Sequence, residues 1–364
     1  MILDIEFKPL EYGYANARAH GLFSKLLTKQ QLYELVQMPS TITIIENLSR
    51  TSYKKELTEL GLKYKDVELL EFALTKNFIE FCKIIEKITP KKAKPIIHSL
   101  FTIWDIKNLK LLILAKKQNT SFEQVQPYFV PIKEFHIQQL KKLYETKNSS
   151  ELYSLLKTTE IGKKIFSIRV PGLTTNLANT FKKVDQDTLL INSILSSLDY
   201  YYYIALKEAI LKVKKENTIE KFISSFADEK NIQTLIRLAD QNMDENILRN
   251  YLVPGGSIPE PRLVNAYKKK EIFAILSSLN QIINLEYALE EAKKTKNVAE
   301  LESAISIAFA KRRLKLFRGA NLSLSVILAA LFFKEKEIEN IRKIVRAKLL
   351  GLNKEEIEKM LIIY

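Results

Sequence analysis

The 364-residue sequence contains one cysteine, Cys82, and three histidines, His20, His98 and His136. A single cysteine excludes an intrachain disulfide and any zinc module that is built from cysteines. A multi-histidine metal centre would need nearly all of the histidines, which lie far apart along the chain. We therefore interpret each histidine as an isolated side chain and expect no bound metal.

Glycine and proline are also scarce, with 9 Gly and 10 Pro, where average usage would supply roughly 25 and 18. So few turn residues disfavour sandwiches, barrels and glycine-loop nucleotide folds, and they favour long helices. Apolar residues make up 46% of the chain and charged residues 27%, which is typical of a folded protein. We predict an all-α fold.

Long apolar runs are missing as well. The longest, residues 322–333, is too short for a bilayer crossing, which needs about 20 residues. We interpret it as a core helix. The N-terminus carries the acidic residues Asp4, Glu6 and Glu11 without an apolar stretch of signal-peptide length. We expect neither a signal peptide nor a transmembrane segment.

The motifs that usually mark an active site are absent. Gly162-Lys163 lacks the upstream glycine and the following hydroxyl residue of a phosphate loop. The sequence also lacks a Gly-x-Ser-x-Gly elbow, a His-Glu-x-x-His helix and a calcium loop. We expect no cofactor and no catalysis by the chain on its own, although an enzyme of unrecognised type remains a minor alternative.

One short pattern occurs three times: an acidic residue, an asparagine three positions later, and apolar residues after it. The pairs are Asp105 with Asn108, Asp228 with Asn231, and Glu337 with Asn340. The asparagines are 123 and 109 residues apart. Six positions after the asparagine, the second copy has Arg237 and the third has Arg346, where the first has Leu114.

Two further marks keep the same order. Twenty residues after each asparagine a short apolar segment begins, at Tyr128, Tyr251 and Met360. Upstream of the three asparagines lie similar segments at 70–74, 198–200 and 285–289. Self-similarity at a fixed period indicates a repeat architecture. We predict three similar helical domains, at residues 1–135, 136–262 and 263–364.

The acid and asparagine pattern has two interpretations. In the structural one, the acid caps or opens a helix and the asparagine bonds to neighbouring backbone. In the functional one, three equivalent acids surround a common axis and meet a partner. Neither interpretation implies catalysis, because a carboxylate beside an amide supplies neither a nucleophile nor an acid and base pair.

The formal net charge is +15. A basic run concentrates it: Lys311, Arg312, Arg313, Lys315 and Arg318. On a helix, Lys311, Lys315 and Arg318 share one face. Such a face suits nucleic acid, an anionic membrane or an acidic protein, and it is also typical of a solvated lysine-rich surface. A basic helical-repeat protein that binds nucleic acid is the alternative function.

The segments that carry the repeat also resemble a known family, the C subunit of the archaeal A-type ATP synthase, which is related to the d subunit of the eukaryotic vacuolar ATPase. The likeness runs from about Tyr12 to the C-terminus. It is carried by residues 12–18 and 24–27, by the Asp105 and Asp228 segments, by residues 251–256 with Ile258, and by residues 340–348. Leu114 departs from it, since an arginine is expected there, and this argues against a symmetric arginine triad.

The resemblance implies a funnel of three similar helical domains around a pseudo-three-fold axis, without an active site or a cofactor. It implies one copy per complex, placed between the proteolipid rotor ring and the central shaft of D and F subunits. Such a protein passes torque between proton or sodium movement and the catalytic head, which makes or hydrolyses ATP. We expect a peripheral position at the cytoplasmic face of the membrane, no nucleic acid partner, and ring or membrane contact through the basic run.

Overall fold

The computed structural model describes residues 8–168, 186–212, 217–295, 297–317 and 323–363. Within these ranges the regular structure is helical and no residue lies in a strand. The all-α prediction is therefore confirmed.

The chain divides into two compact units. The first comprises residues 1–138 and 314–364, and the second comprises residues 139–313. The chain thus passes from the first unit to the second once and returns once. Each unit has its own buried apolar core.

The first unit contains a group of N-terminal helices and two C-terminal helices. They are α1 (Lys8–Phe23), α2 (Lys29–Gln37), α3 (Thr41–Leu48), α4 (Lys54–Leu60), α5 (Asp66–Ile88), α6 (Lys94–Lys117), α7 (Phe122–Val125), α18 (Leu324–Leu349) and α19 (Lys354–Met360). Short 3₁₀ turns at Lys91–Ala93 and Gln126–Tyr128 precede and follow the α6–α7 pair. Helix α18 packs against α1, α2, α5 and α19.

Local sequence sets where several of these helices begin. Thr28 caps α2 by accepting a hydrogen bond from the Gln31 amide, and the Gln31 side chain accepts from the Thr28 amide in return. Ser121 opens α7 and Asn353 opens α19 through the same reciprocal arrangement. Such capping satisfies amides that would lack a partner at a helix start. Pro95 lies in the first turn of α6, where a missing amide costs nothing.

The second unit continues the helical pattern. Its helices are α8 (Ile137–Tyr144), α9 (Ser149–Lys157), α10 (Glu160–Ser167), α11 (Gln186–Lys212), α12 (Asn217–Asp240), α13 (Glu245–Leu248), α14 (Glu260–Tyr267), α15 (Ile272–Asn280), α16 (Glu286–Lys294) and α17 (Val298–Leu316). Helix α8 begins in the first unit and α17 ends there. The second unit's core gathers apolar side chains from α12 to α17.

The long apolar run of the sequence is a buried helix segment. Residues 324–332 of α18 are all buried, as expected for a core helix. No helix in the described ranges is both long enough and apolar enough to span a membrane.

Candidate functional site

Each asparagine of the recurring pattern binds the backbone of the residue 22 positions later. In every copy the side-chain Nδ2 donates to the carbonyl and Oδ1 accepts from the amide of that same residue. The pairs are Asn108 with Val130 (2.9 and 2.9 Å), Asn231 with Val253 (3.0 and 2.8 Å) and Asn340 with Ile362 (2.8 and 2.9 Å). All three asparagines are buried. The sequence marks at Tyr128, Tyr251 and Met360 stand two residues before these clamped positions.

The helix ends between these residues also repeat. Eleven residues after each asparagine the backbone takes a positive φ, at Asn119 (54°), Asn242 (50°) and Gly351 (73°). The next residue's amide then donates to a carbonyl five residues earlier in each copy, which is the Schellman ending of a helix. A new N-cap follows at Ser121, Asp244 and Asn353. Each asparagine therefore binds a chain segment that comes back to its helix after that helix has ended.

The acids of the first two copies lie inside long helices and do not cap them. Asp105 accepts from the amides of Glu134 (3.2 Å) and Phe135 (3.4 Å). Asp228 accepts from the Ser257 hydroxyl (2.6 Å) and the Ile258 amide (3.0 Å). Each acid thus anchors the backbone just before the next short helix, α8 or α14.

Burial has an electrostatic consequence at Asp105. Removal of the carboxyl group from water raises its pKa to about 6, although the amide hydrogen bonds from Glu134 and Phe135 act in the opposite direction. Desolvation disfavours the charged form of an acid. Ionisation of Asp105 therefore lowers the stability of the folded chain relative to the unfolded chain.

Gly256 is explained by its contact with Asp228. A Cβ atom at Gly256 would lie 2.5 Å from the Asp228 Oδ1 atom, and Gly255 has a φ of 94°. Both positions thus favour glycine, one for space and one for backbone conformation. The Gly-Gly loop therefore lets the backbone come close to the Asp228 carboxylate.

The acid of the third copy has a different set of partners. Glu337 accepts from the Tyr53 hydroxyl (2.6 Å), from the Lys334 ammonium (2.7 Å) and from the amide of Leu27. Glu337, Lys334 and Tyr53 are all buried. Burial lowers the pKa of Lys334, while Glu337 acts to raise it. The sequence pattern indicated Glu337 but none of these three partners.

The arginines of the second and third copies form ion pairs with a neighbouring long helix. Arg237 on α12 pairs with Glu302 on α17 (Nη2 to Oε2, 2.7 Å). Arg346 on α18 lies 3.9 Å from Glu71 on α5, and Arg342 is closer to the same carboxylate, at 2.7 Å. These arginines contribute to helix packing and already have acidic partners.

The position that departs from the arginine pattern is Leu114. Its side chain is apolar and 42% exposed, so it cannot form an ion pair like those of Arg237 and Arg346. The two arginines therefore have no third counterpart in the first copy.

The opening motif of the sequence has a structural role in the first unit. Asn16, on α1, donates to the Ser323 carbonyl (3.0 Å) and accepts from the Ser323 amide (2.9 Å). Ser323 is the N-cap of α18. Ala15 and Ala19 are buried beside Asn16. An asparagine clamp of the same kind thus joins the N-terminal helix to the start of a C-terminal helix.

Arg313 does not lie on the exposed face that we predicted from the basic run. It is buried, and its Nε atom donates to the Ser225 hydroxyl (2.7 Å). Its Nη2 atom donates to the Ser225 carbonyl (2.9 Å) and to Glu229 (2.6 Å). The guanidinium lies 3.8 Å from the centre of the Phe226 ring. Arg313 packs α17 against α12, because its position on α17 points toward that helix.

The other members of the run are more accessible. Lys311 and Lys315 are exposed, one helical turn apart, and Arg312 is partly exposed. The Lys311 ammonium lies 4.8 Å from the centre of the Tyr287 ring. Arg318 falls outside the described residues. The structure therefore brings Lys311 and Lys315 to one exposed side and separates Arg313 from them.

In the part of the chain that the structure describes, no group of three or more His, Cys, Asp or Glu side chains is placed to hold a metal ion. Cys82 is buried, and His98 bonds Glu86 at 2.8 Å. The recurring acid and asparagine contacts are thus the most distinctive arrangement of polar groups in the described residues, and they bind backbone.

Comparison with known families gives these contacts a context. The family described as ATP synthase (C/AC39) subunit matches residues 15–360. The chain belongs to this family. The match includes all three acid and asparagine pairs and Asn16, so the family resemblance inferred from the sequence is confirmed.

Individual C/AC39 relatives match over nearly their whole lengths. The A-type ATP synthase C subunit of Methanocaldococcus jannaschii is 28% identical over 100% of this chain and 88% of its own. The Pyrococcus abyssi protein of the same name is 24% identical over 98% of this chain and 91% of its own. The Thermoplasma acidophilum protein of the same name is 22% identical over 93% of this chain and 94% of its own.

Proposed function

We propose that the chain is a non-catalytic subunit of the central stalk of an A-type ATP synthase. In this role it links the shaft of D and F subunits to the proteolipid ring and passes torque between ion movement and the catalytic head. The observation that carries the proposal is the end-to-end match to C subunits of A-type ATP synthases. The position is peripheral, on the cytoplasmic side of the membrane, with one copy in each complex.

The described contacts suit a part that must resist deformation. Each long helix of the recurring pattern is tied to a returning segment by a buried asparagine, and to a further segment by a buried acid. Ion pairs such as Arg237 with Glu302 join long helices to one another. Densely packed interiors with few voids have low compressibility and transmit strain.

Co-purification tests this role. Membranes from cells that carry a tagged copy of the chain are solubilised mildly, and the tag is used for isolation. We expect ring, shaft and catalytic-head subunits in the eluate, and we expect their ratios to the tagged chain to stay constant as the washes are repeated. Recovery of the chain without any of them would overturn the proposed function.

The proposal includes a contact between the basic run and the ring or the adjacent membrane surface. Among the described residues its candidates are Lys311, Arg312 and Lys315, since Arg313 is buried. Arg318, the fifth member of the run, lies outside the described residues. Basic side chains near an anionic surface each contribute on the order of 1 kcal/mol. Such contacts weaken as salt screens them.

Charge reversal distinguishes a local contact from a general effect of charge. The variant K311E/R312E/K315E is measured against isolated ring at several salt concentrations, and we expect weaker binding with a shallower salt dependence. The control K141E/K142E/K147E makes the same change of net charge at three exposed lysines of the second unit. Equal losses in both variants, or none in either, would remove the basic run from the interface.

A further inference from the structure

The backbone donors that serve the three acids occupy equivalent places. Leu27, Phe135 and Ile258 each donate an amide to the acid of one copy. Each of them also lies two residues before a short helix, α2, α8 or α14. They are 108 and 123 residues apart, close to the spacings of the repeated pattern. The three copies of the fold therefore begin near these residues.

The contact of the third acid, Glu337, differs from the other two in how far apart its two residues lie along the chain. Phe135 and Ile258 follow their acids by 30 residues along the chain, whereas Leu27 precedes Glu337 by 310. The first two contacts are thus closed over a short stretch of continuous backbone. The Glu337 contact joins the last copy to the first by non-covalent bonds alone.

We call this junction the seam, with residues 12–53 on one side and residues 323–358 on the other. Contacts between the two sides include the Asn16 clamp on Ser323, the Tyr53 and Leu27 bonds to Glu337, and the bonds of the Lys348 ammonium. Lys348 donates to the carbonyls of Val36 and Met38, both at 2.5 Å. These contacts bind the end of α2 to the end of α18.

We propose that the seam is a conformational device, the joint at which the first unit opens and recloses while the Asp105 and Asp228 contacts stay closed. Opening there requires no covalent change and leaves both sides helical. A short connecting chain keeps the partners of the other two acids close, which favours their reclosure. This inference goes beyond the proposed function and does not rest on it.

The buried charges at the seam lower the free-energy cost of its opening. In the closed form Lys334 and Glu337 are held away from water, and this desolvation offsets much of their mutual attraction. When the seam separates, both groups regain water while their own pair within α18 is kept, so the loss of the bonds to Tyr53 and Leu27 is partly compensated. Local openings of this kind occur below the free energy of global unfolding.

Hydrogen exchange of the full-length chain tests the device. The variant K348M removes the bonds to Val36 and Met38 across the seam. The control K343M removes a matched bond on one side only, because Lys343, also on α18, donates to Met360 (3.0 Å). We expect peptides from residues 12–53 to exchange at least about fivefold faster in K348M, as the loss of one or two hydrogen bonds implies. Neither variant is expected to change exchange at residues 217–250.

A crosslink supplies a second measurement that removes no buried group. Gln37 and Glu358 meet across the seam, with 3.5 Å between Nε2 and Oε1. The pair Q37C/E358C is joined by a short bis-maleimide, and the control pair Q30C/E34C is joined within α2, where the native side chains bond at 3.1 Å. Cys82 is buried and burial raises its pKa, so the native thiol stays unmodified.

We expect the crosslink across the seam to slow exchange at residues 12–53 by about tenfold relative to the crosslink within α2. If residues 12–53 exchange at the same rate as residues 217–250 in every variant and with either crosslink, the seam does not open separately and the inference is wrong.

Discussion

At the scale of single residues, asparagine is suited to the three clamped positions because its amide carries one donor group and one acceptor, like a peptide unit. Val130, Val253 and Ile362 lie in segments that follow short helices and are not part of a sheet. Their buried backbone groups need partners from elsewhere in the chain. Aspartate could accept from the amide but could not donate to the carbonyl.

Loss of a clamp leaves two backbone groups without partners. For Asn231→Ala we expect the free energy of unfolding to fall by about 2 to 4 kcal/mol, because each unsatisfied buried group costs about 1 to 3 kcal/mol. Urea unfolding followed by circular dichroism measures the change. The control Asn246→Ala, at an exposed position of α13, is expected to stay within about 0.5 kcal/mol of wild type. A similar stability for both variants would contradict a clamping role.

Asp105 predicts a dependence of stability on pH. Its folded-state pKa is about 6 and its ordinary value is 3.8, so the folded chain binds the proton more tightly than the unfolded chain. The stability that this provides is present below pH 3.8 and is lost as the pH rises through 6. Asp105→Asn stays neutral and can still accept from the Glu134 and Phe135 amides. We expect the variant to gain about 2 to 3 kcal/mol relative to wild type between pH 4 and pH 7.

Urea unfolding at pH 4, 5, 6 and 7 checks this expectation. Lys133 and Glu134 also act on the Asp105 carboxyl, so the comparison is made between variants that keep both residues. Asp240→Asn, at an exposed position, serves as a control and is expected to follow the wild-type profile. A constant difference between Asp105→Asn and wild type across the range would show that Asp105 does not titrate there.

At the scale of helices, α17 shows why charge in a sequence is a poor guide to surface. Arg313 and Lys315 are two residues apart, yet Arg313 is buried against α12 and Lys315 is exposed. The helical period separates neighbours onto different sides of the helix. The sequence alone could not decide which side of the basic run faces the core, because Ala310, Leu314 and Phe317 mark only one apolar row.

The buried arginine predicts a large loss of stability on truncation. Arg313→Ala removes the bonds to Ser225 and leaves the Glu229 carboxylate, which is only 16% exposed, without its cation. Breaking a buried pair in this way costs about 3 to 5 kcal/mol. Lys311→Ala, two residues earlier and exposed, is expected to change the unfolding free energy by less than about 0.5 kcal/mol. Thermal unfolding of the two variants side by side gives the comparison, and equal effects would contradict this assignment.

Helix positions were largely predictable from the apolar period, whereas helix boundaries were not. Apolar residues recur with a helical period at residues 272–283 and 298–309. These two segments fall on α15 and α17, but α15 ends at Asn280. Proline clusters indicate loops, yet Pro95 and Pro261 lie in the first turns of α6 and α14. Proline fits both places, so composition alone does not distinguish them.

At the scale of the whole molecule, the sequence revealed the recurring pattern but not how its last copy is completed. Asn108, Asn231 and Asn340 keep constant spacing to their clamped residues, so a local search finds them. Leu27 and Glu337 are 310 residues apart, and no local signal links them. Lys334 follows an apolar run directly, and nothing in the neighbouring residues indicates that its charge is buried.

The equivalence of Leu27, Phe135 and Ile258 predicts that the chain tolerates a new connection order. In a circular permutant, a Gly/Ser linker of about 20 residues, which spans about 25 Å on average, joins residue 364 to residue 1. The new termini lie between Lys133 and Glu134, just before the backbone that Asp105 holds. We expect this permutant to fold with the wild-type circular dichroism spectrum, because the cut creates a non-covalent junction like the one at Glu337.

A second permutant with the same linker, cut between Leu235 and Ile236 inside α12, provides the comparison. Both residues are fully buried, and a break there interrupts the helix that carries Asp228 and Asn231. We expect it to aggregate or to lose its cooperative unfolding transition. If the permutant cut at residue 133 fails in the same way, the Asp105 contact needs a continuous chain. The Glu337 contact would then be held by something that the other two lack, for which Lys334 and Tyr53 are the first side chains to test.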